Sequence, residues 1–242
     1  MPDHILTIEN LRFRYPGGRD WIVDVARLRM VAGEQMLLTG GSGRGKSTLL
    51  HLIAGLLEPS RPAGESPRVV VGGRDICSLR GAARDLHRGR TIGMIFQTFN
   101  LLHGFSAIEN VMAAMMFSRI LRGEHRAKAA ALLTRLGIER PDARPEQLSV
   151  GQQQRVAVAR AMACDPVLVL ADEPTASLDP ENAVGAMDLI QGICREKNAA
   201  LLCVSHDPAM AERFERRMTL DELAAGGATA ESGEHAVSSP VS

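Results

Sequence analysis

Aromatic residues are scarce in this chain: one Trp, one Tyr and six Phe among 242 residues. So few rings leave little from which to build a stacking platform for single-stranded nucleic acid. Charge of one sign is missing as well. Lys+Arg and Asp+Glu each number 28, so the net charge is zero and no bulk attraction to nucleic acid or an anionic membrane is expected. No apolar run approaches the ~20 residues of a spanning helix. VMAAMMF, 111–117, is core-sized. The start, MPDHILTIEN, lacks the basic-then-apolar pattern of a secretory signal. Cys77, Cys164, Cys194 and Cys203 show no C-x-x-C spacing, which argues against a disulfide framework or zinc site and for a reducing compartment. The expectation is a soluble, cytoplasmic protein that meets a membrane only through a partner and binds no nucleic acid. Lysine is rare too: Lys46, Lys128 and Lys197 stand against 25 arginines. A lysine at a chemically sensible place is therefore informative, because Arg cannot replace a compact ammonium in a tight site.

What is present alternates between strand and helix. Residues 5–15 and 21–31 read as strands around the turn Pro16-Gly17-Gly18. Short apolar runs at 36–39, 69–71, 92–96, 167–171 and 200–204 read as further strands. The last two are continuous enough to be buried on both faces. Helices are expected at 47–57 and 78–89, after Asp179-Pro180 as far as about Lys197, and after Asp207-Pro208. The stretch 106–164 looks all-helical, and Ser106-Ala-Ile-Glu109 and Ser149-Val-Gly-Gln152 both fit a capping box. Strands alternating with helices imply an α/β fold with a mostly parallel sheet. From Ala224 to the end, the Ala/Gly/Ser/Glu composition predicts a disordered tail.

Two motifs carry chemistry. GGSGRGKST, 40–48, fits G-x-x-x-x-G-K-[ST] between an apolar strand and a helix. Gly40, Gly41, Ser42, Gly43, Arg44 and Gly45 would offer backbone N–H groups to phosphate oxygens at a helix N-terminus. Lys46 would reach the outer phosphates, the Ser47 hydroxyl would ligate Mg²⁺, and Thr48 completes the loop. In VLVLADEPTASLD, 167–179, a buried strand would deliver Asp172 and Glu173 to the sheet edge where α/β folds bind ligands. Asp172 can hold Mg²⁺ through water, and Glu173 can act as general base on an attacking water.

LSVGQQQR, 148–155, narrows the class. It resembles the signature sequence of ATP-binding cassette (ABC) ATPases, usually LSGGQ followed by a polar stretch and Arg. Other elements are similar in the family's order, from about residue 5 to 215. Tyr15 sits where the family stacks an aromatic on adenine. Gln97, in MIFQTFNLL, looks like the loop glutamine that senses Mg²⁺ and the γ-phosphate. ASLD, 176–179, is similar to the family's D-loop and His206 to its switch histidine.

The resemblance implies a P-loop ATPase core with an N-terminal antiparallel β subdomain and a helical signature subdomain at about 98–164, within one domain spanning 1–223. It implies ATP and Mg²⁺ as ligands, with Ser47, Gln97 and Asp172 around the metal and Lys46, Gln97, Glu173 and His206 in catalysis. It implies a head-to-tail dimer, homodimeric or heterodimeric, in which Ser149, Gly151, Gln152 and Asp179 complete the partner's ATP site. It also implies a transmembrane permease docked on the helical region, and a place on the cytoplasmic face of the inner or plasma membrane. Leu101, Leu102, Phe105, Met112, Met115, Met116 and Phe117 are candidates for core or for that docking surface. TLLHLIAGLLEP, IGMIFQTFNLL and SAIENV are similar to the ATPase subunits of lipoprotein-releasing and macrolide-exporting systems.

Val150 departs from the pattern by replacing the usual first glycine. It would weaken closure on ATP unless that position is already right-handed helical. Rival readings are a soluble ABC ATPase outside transport, such as one in iron–sulfur assembly, and an ATP-gated scaffold. A small GTPase would want N-K-x-D, which Lys197-Asn198 does not supply.

Overall fold

The computed structural model describes residues 4–41, 43–118 and 120–225. The strands are β1 (His4–Phe13), β2 (Val23–Val31), β3 (Gln35–Thr39), β4 (Arg68–Val71), β5 (Arg74–Asp75), β6 (Ile92–Ile95), β7 (Leu168–Asp172), β8 (Ala200–Val204) and β9 (Arg216–Thr219). The α-helices are α1 (Lys46–Ile53), α2 (Gly81–Thr91), α3 (Ala107–Met115), α4 (His125–Arg135), α5 (Val150–Met162), α6 (Pro180–Glu196), α7 (Pro208–Ala211) and α8 (Leu220–Ala224).

The strands form two sheets. One is antiparallel, in the order β2-β1-β4-β5, and the other is parallel, in the order β6-β7-β8-β3-β9. Asn10, at φ 52°, switches the face that β1 presents. Leu6 and Ile8 before it and Leu11 and Phe13 after it are all buried. The inner strands β3, β7 and β8 are apolar through most of their length because each of their faces has its own cover, whereas the edge strand β9 has no buried residue. Leu37, Ile95, Val169, Ala171, Leu201 and Cys203 join a core with α3, α4, α5 and α6. Their alternates Met36, Leu38, Leu168, Leu170, Leu202 and Val204 join a second core with the antiparallel sheet and α1. Strand periodicity of two thus sorts one run of residues into two layers.

Both expected capping boxes form, Ser106 with Glu109 and Ser149 with Gln152. Asp179 and Asp207 cap α6 and α7 with Pro at the first position. One expectation needs correction, and two elements were missed. The helix expected to reach residue 57 ends at Ile53, because Gly55 turns left-handed at φ 65° and the Leu56 N–H closes back on the His51 carbonyl. The strand β9 and the helix α8, capped by Thr219 with Glu222, were not expected. The proposed tail begins inside that helix, at Ala224, and residues 226–242 lie outside the described residues.

The parallel register positions the site. Leu38 of β3, Val204 of β8 and Asp172 of β7 share one rung. The three loops that leave the sheet just past this rung carry residues 40–45, Glu173 and His206.

Candidate nucleotide site

The phosphate loop joins β3 to α1. Gly40 (φ 137°), Gly43 (φ 74°) and Gly45 (φ 90°) adopt backbone conformations that suit glycine. At Gly45 packing forbids a side chain as well, since a Cβ there would lie 2.2 Å from the Ile22 carbonyl oxygen. Lys46 is 6% exposed, and its Nζ donates to the Gly40 and Gly41 carbonyls at 2.8 Å each. Arg44 points outward, 3.7 Å from the Asp221 carboxylate. Ser42 lies outside the described residues.

The Ser47 hydroxyl donates to Asp172 Oδ1 at 2.9 Å. Two hard oxygen donors at the end of a phosphate loop fit Mg²⁺, which keeps several waters and takes one or two protein oxygens plus phosphates. A dedicated cage is not needed for such a site, and among the described residues no cluster of three or more His, Cys, Asp or Glu could hold a metal.

Glu173 follows β7 with φ 46°, an uncommon conformation for a residue bearing a side chain. Its N–H still donates to the Val204 carbonyl at 3.0 Å, so the turn begins while the ladder holds. Its Oε1 accepts from the His206 N–H at 3.1 Å and lies 2.6 Å from His206 Nδ1. The Glu173 side chain is 14% accessible and that of His206 is 55% accessible, so the ring covers the carboxylate.

Tyr15, Gly43, Gly45, Lys46, Ser47, Thr48, Gln97, Glu173 and His206 line one cleft of about 390 Å³. The Tyr15 hydroxyl is 3.4 Å from Thr48 Oγ1, and its ring meets Phe13 edge-on at 5.0 Å. The Gln97 carbonyl accepts from the Ser177 hydroxyl at 3.0 Å. Ser149, Gly151, Gln152 and Asp179 do not line this cleft. Ser149 caps α5, accepting from the Gln152 N–H at 3.2 Å, while Gln152 Oε1 accepts from the Ser149 N–H at 3.0 Å. Asp179 caps α6, and the Asn182 side chain and N–H together hold its carboxyl below the usual range. Val150 is the first residue of α5 with right-handed backbone, so its branched side chain meets no conformational penalty.

Sequence reasoning missed three contributors. Ile22 closes over Gly45, Ser177 holds Gln97, and the lone Trp21 stacks under Arg14 at 4.8 Å beside Tyr15. A single tryptophan in an aromatic-poor chain was the available signal. Burial pushes the Cys77 and Cys164 thiols up to about 11 and Cys194 to about 12, well away from the thiolate form.

A phosphate loop at the end of a parallel strand, facing an Asp–Glu pair and a histidine on neighbouring strands, defines a P-loop nucleoside triphosphatase. Residues 23–176 match the ABC transporter family. The chain is 40% identical to the lipoprotein-releasing system ATP-binding protein LolD of Chromohalobacter salexigens, over 83% of each chain. Against the LolD of Paramagnetospirillum magneticum it is 40% identical, over 92% of this chain and 97% of that one. Among solved structures, the dimeric post-hydrolysis state of the ATP-binding cassette MJ0796 bound to ADP and Pi superposes with a TM-score of 0.76. It is 31% identical and covers 88% of this chain and 93% of that one. The chain belongs to the ABC transporter family and is an ATP-binding, ATP-hydrolysing subunit.

Proposed function

We propose that this chain powers a separate membrane permease of the lipoprotein-releasing type, by closing head to tail on a second copy of itself around two ATP molecules. The observation that carries the catalytic part is the Glu173–His206 pair at 2.6 Å, set across the cleft from Lys46 and Ser47. Glu173 takes the proton of the attacking water as the water oxygen bonds to the γ-phosphorus and the bond from that phosphorus to the β,γ-bridging oxygen breaks, with ADP as the leaving group. His206 orients the carboxylate and contacts the γ-phosphate. Lys46 exchanges the Gly40 and Gly41 carbonyls for phosphate oxygens. Tyr15 lies against the base. The Ser47 hydroxyl, Asp172 and Gln97 would hold Mg²⁺, which would supply neutralising charge to the phosphates.

Two observations support the dimer. Ser149, Gly151 and Gln152 stand at an exposed helix N-terminus away from their own cleft, as residues given to another subunit's anion would. An added Cβ at Gly151 meets nothing within 4 Å, so the fold itself does not require this glycine. Asp179 would join from the partner as well. Leu102, Phe105, Met116 and Phe117 are 44–69% exposed on the helical region, and they suit a permease contact, while Leu101 and Met115 are core. Among the described residues no helix is long and apolar enough to cross a membrane, so a seat on the cytoplasmic face would come through that permease.

The test is the tagged Glu173→Gln chain, purified with ATP from mild-detergent extracts of its native membranes. It should hydrolyse no ATP, dimerise stably and bring down a multi-spanning protein. Near-normal turnover would refute the assigned base, and the absence of any membrane partner would refute the transport role.

A further inference from the structure

Two inward-facing polar side chains of α5 hold loops of the protomer's own cleft. Gln154, 2% exposed, donates from Nε2 to the Pro174 carbonyl at 2.9 Å, directly after Glu173. Further along, Arg160 donates from Nη2 to the Phe99 carbonyl at 2.6 Å and from Nη1 to the Asn100 carbonyl. These residues follow Gln97, and both are left-handed, with φ of 59° and 48°. Two consecutive non-glycine residues in that region persist only where their surroundings hold them. A guanidinium can hold both carbonyls at once, because its donors form a planar fork that an ammonium lacks. Burial lowers the Arg160 pKa.

We infer that Arg160 is a positioning residue for ATP hydrolysis, fixing the Gln97 loop to the helix whose tip carries Ser149 and Gly151, with Gln154 fixing the Glu173–Pro174 turn to the same helix. The inference rests on the roles given above to Gln97 and to the α5 tip. One rigid helix then spans two sites. When its tip docks on the partner's nucleotide, its body sets the loops around its own, which provides a contiguous path for coupling the two hydrolysis events.

The test compares Arg160→Lys, Arg160→Met and Gln154→Met in the full chain, reading kcat and KM for ATP, the thermal midpoint, and amide exchange over 96–101 and 150–158. Arg160→Lys should lower kcat by about tenfold or more while KM stays within about threefold. Exchange should rise over 96–101 and stay unchanged over 150–158. Wild-type kcat and wild-type exchange in Arg160→Lys would overturn the inference. So would a general loss of stability in which both segments exchange faster together. If Arg160→Met fails to fold, the lysine variant still decides. Gln97→Ala is measured alongside: wild-type hydrolysis there would sink the Gln97 role, while the exchange data would still decide whether Arg160 holds the loop.

Discussion

Replacing Gly151 by alanine should strengthen the monomer and disable the dimer. Gly151 is the second residue of α5, and its added Cβ would meet nothing within 4 Å among the described residues beyond its own helical turn. Alanine in a helix is favoured over glycine by roughly 0.5–1 kcal/mol, and the first turn takes the lower part of that range. For a chain of this size 1 kcal/mol moves Tm by about 2–4 °C, so a rise of about 1–2 °C is expected without nucleotide. The same methyl would stand between the α5 N–H groups and the phosphate they are proposed to contact in the partner. A loss of about tenfold in ATP-dependent dimerisation, or ~1.4 kcal/mol, is the minimum expected. Calorimetry on the nucleotide-free chain reads the first effect. Sedimentation velocity with ATP, in a Glu173→Gln background, reads the second. Dimerisation that survives unchanged would refute the assignment of Gly151 to the interface, and a fall in Tm would refute the claim that the fold does not need it.

Gly45→Ala should do the opposite, since its Cβ would sit 2.2 Å from the Ile22 carbonyl oxygen at φ 90°. It should cost about 1–3 kcal/mol in urea melts and remove measurable ATP binding by calorimetric titration. Retained binding would count against the loop geometry. Val150→Gly should leave ATP-dependent dimerisation within about twofold, because Val150 is already right-handed helical. A rise of about tenfold would show that the valine obstructs closure. At Asp165, burial raises the carboxyl, but hydrogen bonds and charge from Lys128 and Lys197 outweigh it and hold the pKa below the ordinary value. A depressed carboxylate stabilises above its unfolded pKa of about 3.9, and that contribution is lost as pH falls through the folded value. Being half exposed, the group should contribute at most about 1 kcal/mol. Asp165→Asn should therefore melt slightly lower at pH 7, with the gap narrowing as pH falls below about 3.9, and a gap that widens in acid would contradict this sign.

The residues from 40 to 48 were legible because a phosphate loop needs glycine, lysine and hydroxyl at fixed offsets, and local chemistry enforces those offsets. The capping boxes at Ser106 and Ser149 were legible for the same reason: both partners lie within one turn. The strand order β6-β7-β8-β3-β9 was not, because nothing in β3 names β8 and β9 as its neighbours. The Thr219–Glu222 box was readable by the same rule that found the others, but it follows a short strand, Arg216–Thr219, with no fully buried residue. Glu173 could be located, but its left-handed backbone could not, since the turn is set by an N–H bond to Val204 on another strand. Arg160 reads as an ordinary helix residue, and only the fold brings the Phe99 and Asn100 carbonyls to it.

The shared rung of Leu38, Asp172 and Val204 makes the sheet a ruler for the chemistry. The loops that lead into Lys46 and that carry Glu173 and His206 are launched from one level, so their relative heights are inherited from hydrogen-bond register. At the apolar positions of β3, β7 and β8, any apolar residue of similar volume can serve. A single insertion cannot be absorbed there, because it would advance one loop by about 3.3 Å and turn the following side chains into the wrong layer. Descendants of this chain can thus vary in composition along these strands far more freely than in spacing.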